Sequence, residues 1–462
     1  MMKRTVLILA LVFALALPSA ALAKAEFSLG GFIKLDAFWS STQTGKNMNA
    51  PIQRNNNANF HHGRLKFTAQ GSRFNFTIKG PKLWGATTTA FIEIDFDPAE
   101  EGINSAARSA SNSYSLRMRH AMFRLNWPET ELLFGQYWSL ICEWWPELAQ
   151  DGPFQMTGIP TARLPQISLT QKFLGAWMAT VLIGEPNAVA NDRAYNAATT
   201  NRNGAECAET PQIQARIRYT QDLWGKAAYQ GKATPFVAQI AGGWQRNVTP
   251  AQAATAMSSR GQNAYSAVAV STRQQYVDPW VIMGTLFVPV IPTHSANLAG
   301  TASLLTQWWI GQGVEAFGWS GIGSNLYRFA GVDGLTGLNI YDYELQTRFG
   351  GYAQAQYYFT NQWYLTFAYA MSKSIANGFN NRSAAATLAG IANGYTTAVA
   401  ADNADYHHEL NLCLWFRPIL PIKFGLQYAY QRTNWYQITT VGSTRTNLGD
   451  SHRVEFVGLF YF

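Results

Sequence analysis

Apolar and polar residues alternate one by one along most of this chain, in runs of about ten residues, which is the period of a strand with one face apolar and the other wet. In the run 27–40, Ile33, Leu35, Ala37 and Trp39 share one face, while Lys34 and Asp36 share the other. The same alternation returns in 64–70, 86–97, 115–126, 212–219, 344–359, 363–371, 408–416, 423–430 and 453–462, and less cleanly in 132–138, 165–173, 176–183, 236–245, 276–288 and 301–310. After Gly71 the parity flips, so Phe74, Phe76 and Ile78 stay on the apolar face only through a β-bulge at that glycine. The pattern predicts about 16 strands, an even number.

The breaks between runs alternate in length. Short turns fall at 80–85, 127–130, 360–362 and 418–421, and long polar loops at 41–63, 98–114, 139–164, 184–210, 247–273, 311–342, 374–404 and 433–450. Short turns at one end and long loops at the other predict an all-β, antiparallel transmembrane barrel. A closed barrel is the one strand architecture that hides all its backbone donors and acceptors from hydrocarbon. A secreted β-sandwich is the competing fold. The length of the chain, its terminal phenylalanine, and Trp39, Tyr219, Trp363, Tyr369 and Tyr430 near strand ends, where interface girdles belong, favour the barrel.

Composition agrees with this. The chain is 47% hydrophobic and 14% aromatic but only 13% charged, about half the usual charged share. Residues 1–23 have the form of a secretory leader: Lys3-Arg4, an apolar core too short to span a bilayer, and small residues ending at Ala23. Residues 24–462 then form one barrel domain. The formal charge of +8 is scattered among acids with no basic tail, so nucleic-acid binding is not indicated. Cys142, Cys207 and Cys413 have no metal or haem spacing. Three cysteines cannot all pair, and a Cys142–Cys207 bridge is one arrangement open to an exported protein.

In a barrel of this size the interior is aqueous, so its chemistry is the field of its inner wall. Parity turns inward the bases Lys34, Arg64, Lys66, Arg117, Arg119, Arg216, Arg218, Arg348, Lys423 and Arg453, and the acids Asp36, Glu93, Asp95, Asp97, Glu344, Glu409 and Glu455. Glu93, Asp95 and Asp97 are expected between Arg64/Lys66 on one neighbouring strand and Arg117/Arg119 on the other. Two readings of them stand: a salt-bridge ladder that is neutral and rigid, or a basic wall partly open to solutes. The stretch 136–163 gathers Glu143, Trp144, Trp145, Glu147 and Asp151 between two strands. Its acids either face the basic wall across the lumen or hydrogen-bond the loop's own backbone, and its tryptophans either wedge the loop against the wall or stack ligands. His61-His62 and His407-His408 are sequential pairs whose members point to opposite faces, so neither is a ready metal pair. His120 takes outward parity and is expected at a subunit interface or a girdle. No nucleophile elbow, P-loop or haem motif is present, and no cofactor is expected.

Gly31 to Ala37, Ser72 to Phe76, Leu116 to Ala121, Gly135 to Ser139 and Pro146-Glu147 resemble the pattern of Gram-negative porins, in particular the DcaP-like group. Val454 to Phe462 resembles the terminal strand read by the barrel-assembly machinery. The resemblance covers both ends and much of the first half. It implies a homotrimeric, 16-stranded channel in the outer membrane, among phospholipid and lipopolysaccharide. It also implies that the third extracellular loop folds inward, that Glu147 and Asp151 lie where the family's loop carries carboxylates, and that Arg117 and Arg119 match its inward basic pair. Small organic acids would be the solutes. Trp144-Trp145 and Cys142 depart from the family pattern.

The function expected is therefore passive diffusion of small hydrophilic solutes with a preference for anions, and no enzymatic activity. A structural barrel sheathing a partner such as an electron-carrying cytochrome is the alternative from another class. An outer-membrane hydrolase is a third.

Overall fold

The computed structural model describes residues 25–42, 44, 51–97, 115–141, 143–149, 157–187, 208, 210–249, 275–318, 326–332, 339–375, 404–441 and 444–462. The expected leader, Cys142, Asp151 and Cys207 lie outside the described residues.

Sixteen antiparallel strands form the wall. They are β1 (Glu26–Ser40), β2 in two pieces (Arg64–Thr68 and Arg73–Lys79), β3 (Thr87–Asp95), β4 (Arg117–Asn126), β5 (Thr130–Trp138), β6 (Arg163–Phe173), β7 (Trp177–Gly184) and β8 (Gln212–Gln221). The second half comprises β9 (Phe236–Trp244), β10 (Trp280–Ile291), β11 (Ala302–Gln312), β12 (Thr347–Tyr358), β13 (Trp363–Ser374), β14 (Ala404–Ile419), β15 (Ile422–Val441) and β16 (Thr444–Tyr461). Each pairs with the next in sequence, and β16 returns to β1 in the register Phe32↔Tyr461 through Ser40↔Arg453. The barrel sheet has no open edge, so the backbone groups of each of its strands are satisfied by its neighbours.

The break in β2 is the expected bulge. Both pieces pair with β1, and between the pairs Phe32↔Arg73 and Asp36↔Thr68 three residues of β1 face four of β2, 69–72. Ser72 Oγ accepts a hydrogen bond from Lys34 N at 3.0 Å, replacing a ladder bond lost at the bulge. Downstream, Phe76 packs beside Phe27 and Phe74 beside Phe462, with ring centroids 5.6 and 5.8 Å apart. The outer face is a continuous apolar surface that includes Ile33, Leu35, Phe67, Ile167, Phe367, Leu426 and Phe456, all exposed. An apolar outer face this large fits hydrocarbon rather than water.

Three expectations are corrected here. Glu344 is not in a barrel strand: it lies in Asn339–Leu345, which pairs with Leu326–Val332 as a separate hairpin, and β12 starts only at Thr347. Residues 433–450, expected as a loop, are largely strand, because β15 and β16 run on to Val441 and from Thr444. The third concerns β4, where the register slips. Glu93 pairs with His120 and Ile94 with Met118, so Arg119 is an extra residue on β4. Arg119 and His120 are consequently both buried on the inner side, while Met118 and Phe123 are exposed on the outer. His120 is thus no girdle or interface residue: a one-residue slip reverses every side chain beyond it.

Candidate functional site

The acids of β3 meet their bases edge to edge. Arg117 grips Asp95 with two bonds, Nε to Oδ1 at 2.8 Å and Nη2 to Oδ2 at 2.6 Å. Arg119 bridges Glu93 and Asp95 at 2.6 and 2.7 Å. Asp97 accepts from Gln70 at 2.6 Å and lies 3.7 Å from Arg117. The flank assigned to Arg64 and Lys66 is taken by Arg73, which pairs with Asp95 in the strand register and lies 3.7 Å from Glu93. Arg64 and Lys66 are exposed near the long-loop end and form no ion pair with a described residue. The bulge in β2 reverses the parity between the two pieces and so turns Arg73 inward, and the strand register, in which Arg73 faces Asp95, leaves Arg64 and Lys66 beyond these acids.

Lys34 and Arg348 do point inward, yet both are buried and do not border open space. Lys34 lies 2.8 Å from Asp36, and Arg348 3.7 Å from Glu315. Arg453 lies 3.7 Å from Glu455 and is equally buried. Burying a charge costs several kcal/mol unless it is paired, as each of these is, and Arg348 and Arg453 are also hydrogen-bonded, to Gln346 and Ser40.

Residues 139–141, 143–149 and 157–162, between β5 and β6, draw their partners from the far side of the wall. Leu140 N donates to Gln214 of β8 at 2.7 Å. Glu143 accepts hydrogen bonds from both Arg216 and Arg218 of β8. Trp144 packs against Phe287 of β10, ring centroids 6.0 Å apart. Glu147 N donates to Gln354 of β12 at 2.6 Å, and its carboxylate accepts from Gln356 and from the Tyr364 hydroxyl of β13, each at 2.7 Å, and from Lys423 of β15. Trp415 of β14 donates to Glu147 O at 3.3 Å, and Ala149 N to Gln427 of β15 at 2.8 Å. On the way back, Thr157 N donates to Glu409 at 3.2 Å and Trp309 to Gly158 O at 2.8 Å. Burial alone would raise the pKa of Glu147, but Lys423, Tyr364 and Gln356 outweigh it and hold the carboxyl below the usual carboxylate range.

This stretch therefore docks on β8 and β10–β15. Apart from its contacts with Gln214, Arg216 and Arg218 of β8, it leaves open the inner side of β4–β8, where a cavity of about 460 Å³ is lined by Arg124, Tyr137, Trp138, Glu143, Trp145, Arg216 and Arg218. Trp138 is its aromatic centre: Trp145 lies 5.2 Å away, and the guanidinium groups of Arg163 and Arg119 sit 5.0 and 5.7 Å from its ring. Arg163 has no carboxylate partner among the described residues. Arg73, Arg124 and Arg163 escape the sequence reading. Arg73 follows a bulge and Arg163 opens its strand on the apolar parity, so alternation gives no signal for either. Arg124 follows the unmarked slip at Arg119.

No protein-family model and no curated protein matches the chain. Solved structures do. The outer membrane channel DcaP of Acinetobacter baumannii superposes with a TM-score of 0.61 at 15% identity, over 95% of this chain and 99% of that one. The fold is that of a porin. The loop L8 deletion mutant of OmpT, an outer membrane protein of Vibrio cholerae, matches at a TM-score of 0.50 and 9% identity, covering 95% of this chain and 100% of its own. Pseudomonas putida OprB matches at 0.50 and 8% identity, covering 94% of each chain. At such identities the likeness lies in the porin barrel, and the side chains inside it are this chain's own.

Proposed function

We propose that this chain is a diffusion channel of the bacterial outer membrane, passing small hydrophilic solutes with a preference for anions such as organic acids. One observation carries the reading: a closed 16-strand barrel with an apolar exterior has a charged interior, and residues 139–141 and 143–149 bond to inner side chains on strands distant in sequence. In this reading that stretch is the third extracellular loop folded into the lumen. It occupies the β10–β15 side and confines solutes to the side formed by β4–β8. A homotrimer in lipid and lipopolysaccharide, inserted by the barrel-assembly machinery through Val454 to Phe462, belongs to the same reading.

Support for anion preference comes from the balance of charge along the open side. Arg117 and Arg119 are largely neutralised by Asp95 and Glu93. Arg216 and Arg218 share one carboxylate, Glu143, and Arg163 has none among the described residues. Guanidinium groups are held charged and desolvate at low cost, so an excess of them favours anions. Planar-bilayer recording in a salt gradient tests this. Wild-type protein should form pores whose reversal potential reports anion preference. Replacing Arg163, Arg216 and Arg218 together with Ala should move that potential toward cations. A cation-selective wild type overturns the anion preference, and a wild type that forms no pore overturns the channel reading.

A further inference from the structure

We propose that the turn between β8 and β9 is a brace that holds residues 143–149 from the short-turn end of the barrel, with Tyr229 as the positioning residue that sets the width of the passage. The proposal rests on the channel reading above.

Other described turns at this end, such as 127–129, 174–176 and 420–421, only reverse the chain. The turn 222–235 instead carries its own hairpin, Ala227–Tyr229 paired with Lys232–Thr234. Ala227 and Ala228 are fully buried, and Ser303 Oγ of β11 donates to Ala228 O at 2.7 Å. The hairpin therefore lies against the inner wall rather than hanging below it. From there the Tyr229 ring reaches Trp144 and Phe287, with centroids 4.7 and 6.0 Å away. Its hydroxyl accepts from Trp145 N at 3.4 Å and donates to Trp145 O at 3.2 Å. Gln230 Nε2 donates to the same hydroxyl at 3.2 Å.

Ring packing alone lets two surfaces slide, because dispersion and burial have no direction. Two hydrogen bonds to the N–H and C=O of one residue fix both its height and its rotation. The residue so fixed is Trp145, whose ring borders the cavity and packs on Trp138, the ring that carries Arg163. The hydroxyl of Tyr229 is thereby coupled through two indoles to the guanidinium of Arg163, 5.0 Å from the Trp138 ring. Glu143 and Glu147 anchor the stretch at either side of Trp145, and the brace fixes what lies between them.

The test is single-channel recording of wild type, Tyr229→Phe and Tyr229→Ala, with thermal unfolding of each. Tyr229→Phe keeps the ring and loses both bonds to Trp145. We expect it to unfold at the wild-type temperature and to conduct with at least about a fivefold rise in transitions to sub-conductance states, the scale of one net hydrogen bond. Its reversal potential should shift as well. Tyr229→Ala should add a larger mean conductance. If Tyr229→Ala fails to fold, Tyr229→Phe decides alone. A Tyr229→Phe channel with wild-type noise and reversal potential overturns the brace, whether or not its unfolding temperature falls. A silent wild type overturns the channel reading instead.

Discussion

Glu147 ties its loop to β12, β13, β14 and β15 at once, through Gln354, Gln356, Tyr364, Trp415 and Lys423. Its carboxyl is held below the usual range, so its contribution to docking is complete above the unfolded carboxylate pKa and is lost only as pH falls through the lower folded value. Conductance and channel noise should therefore stay constant from neutral pH down through about pH 5, where ordinary glutamates begin to protonate. Glu147→Gln strands the Lys423 ammonium in a buried site, and losing one member of such a pair costs about 3–5 kcal/mol. The expected result at pH 7 is a noisy channel with a protease-sensitive loop, measured by bilayer recording and limited proteolysis. At this scale the sequence is legible by parity. Asp36, Glu409 and Glu455 turn inward as alternation predicts. What parity cannot give is a partner: that Glu143 meets β8 and Glu147 meets β15 depends on how the loop crosses the interior, and nothing local encodes it.

Elements were legible where their irregularities use a special residue. The bulge in β2 is announced by Gly71, but the slip at Arg119 is made by ordinary residues and leaves no mark in composition. The misreading of His120 follows from that difference. The hairpin within 222–235 escaped for another reason, since strands of three residues, such as Ala227–Tyr229, are too short to show a period. The return of the loop hangs on a close approach at Gly158. Its φ of +73° suits glycine, and an added Cβ would lie 2.3 Å from Met371 O and 2.7 Å from Gly351 O. Gly158→Ala should lift 157–162 off β12 and β13 while the barrel persists. Proteolysis within the loop should then quicken, with the heat-modified migration typical of a folded barrel retained.

For the whole molecule, closure is the decisive contact. Gly31 and Phe462 exchange backbone hydrogen bonds at 3.2 Å in both directions, and Gly31 also pairs with Phe74 of β2. A Cβ on Gly31 would fall 2.2 Å from Arg73 O, against backbone that cannot swing aside. Gly31→Val should thus unzip the seam, and folded, heat-modifiable protein should be lost from membranes. Strand number and the two unlike ends of the barrel were readable from the spacing of breaks, because closure in a bilayer leaves few alternatives. The lopsided interior was not. It is set by many glutamines, Gln214, Gln354 and Gln427 among them, that receive the loop and read in sequence only as inward polar positions.

That lopsidedness divides the barrel's circumference into two arcs under different constraints. On β10–β15 an inward side chain is a fixed partner of the loop, so substitutions there should be scarce and felt as loss of rigidity. Where β4–β8 line the cavity, as at Arg124, Tyr137 and Met178, an inward side chain faces open space, and its charge and size bear on whatever passes. A chain of this kind can be retuned for a new solute along one third of its wall while the remainder is left untouched.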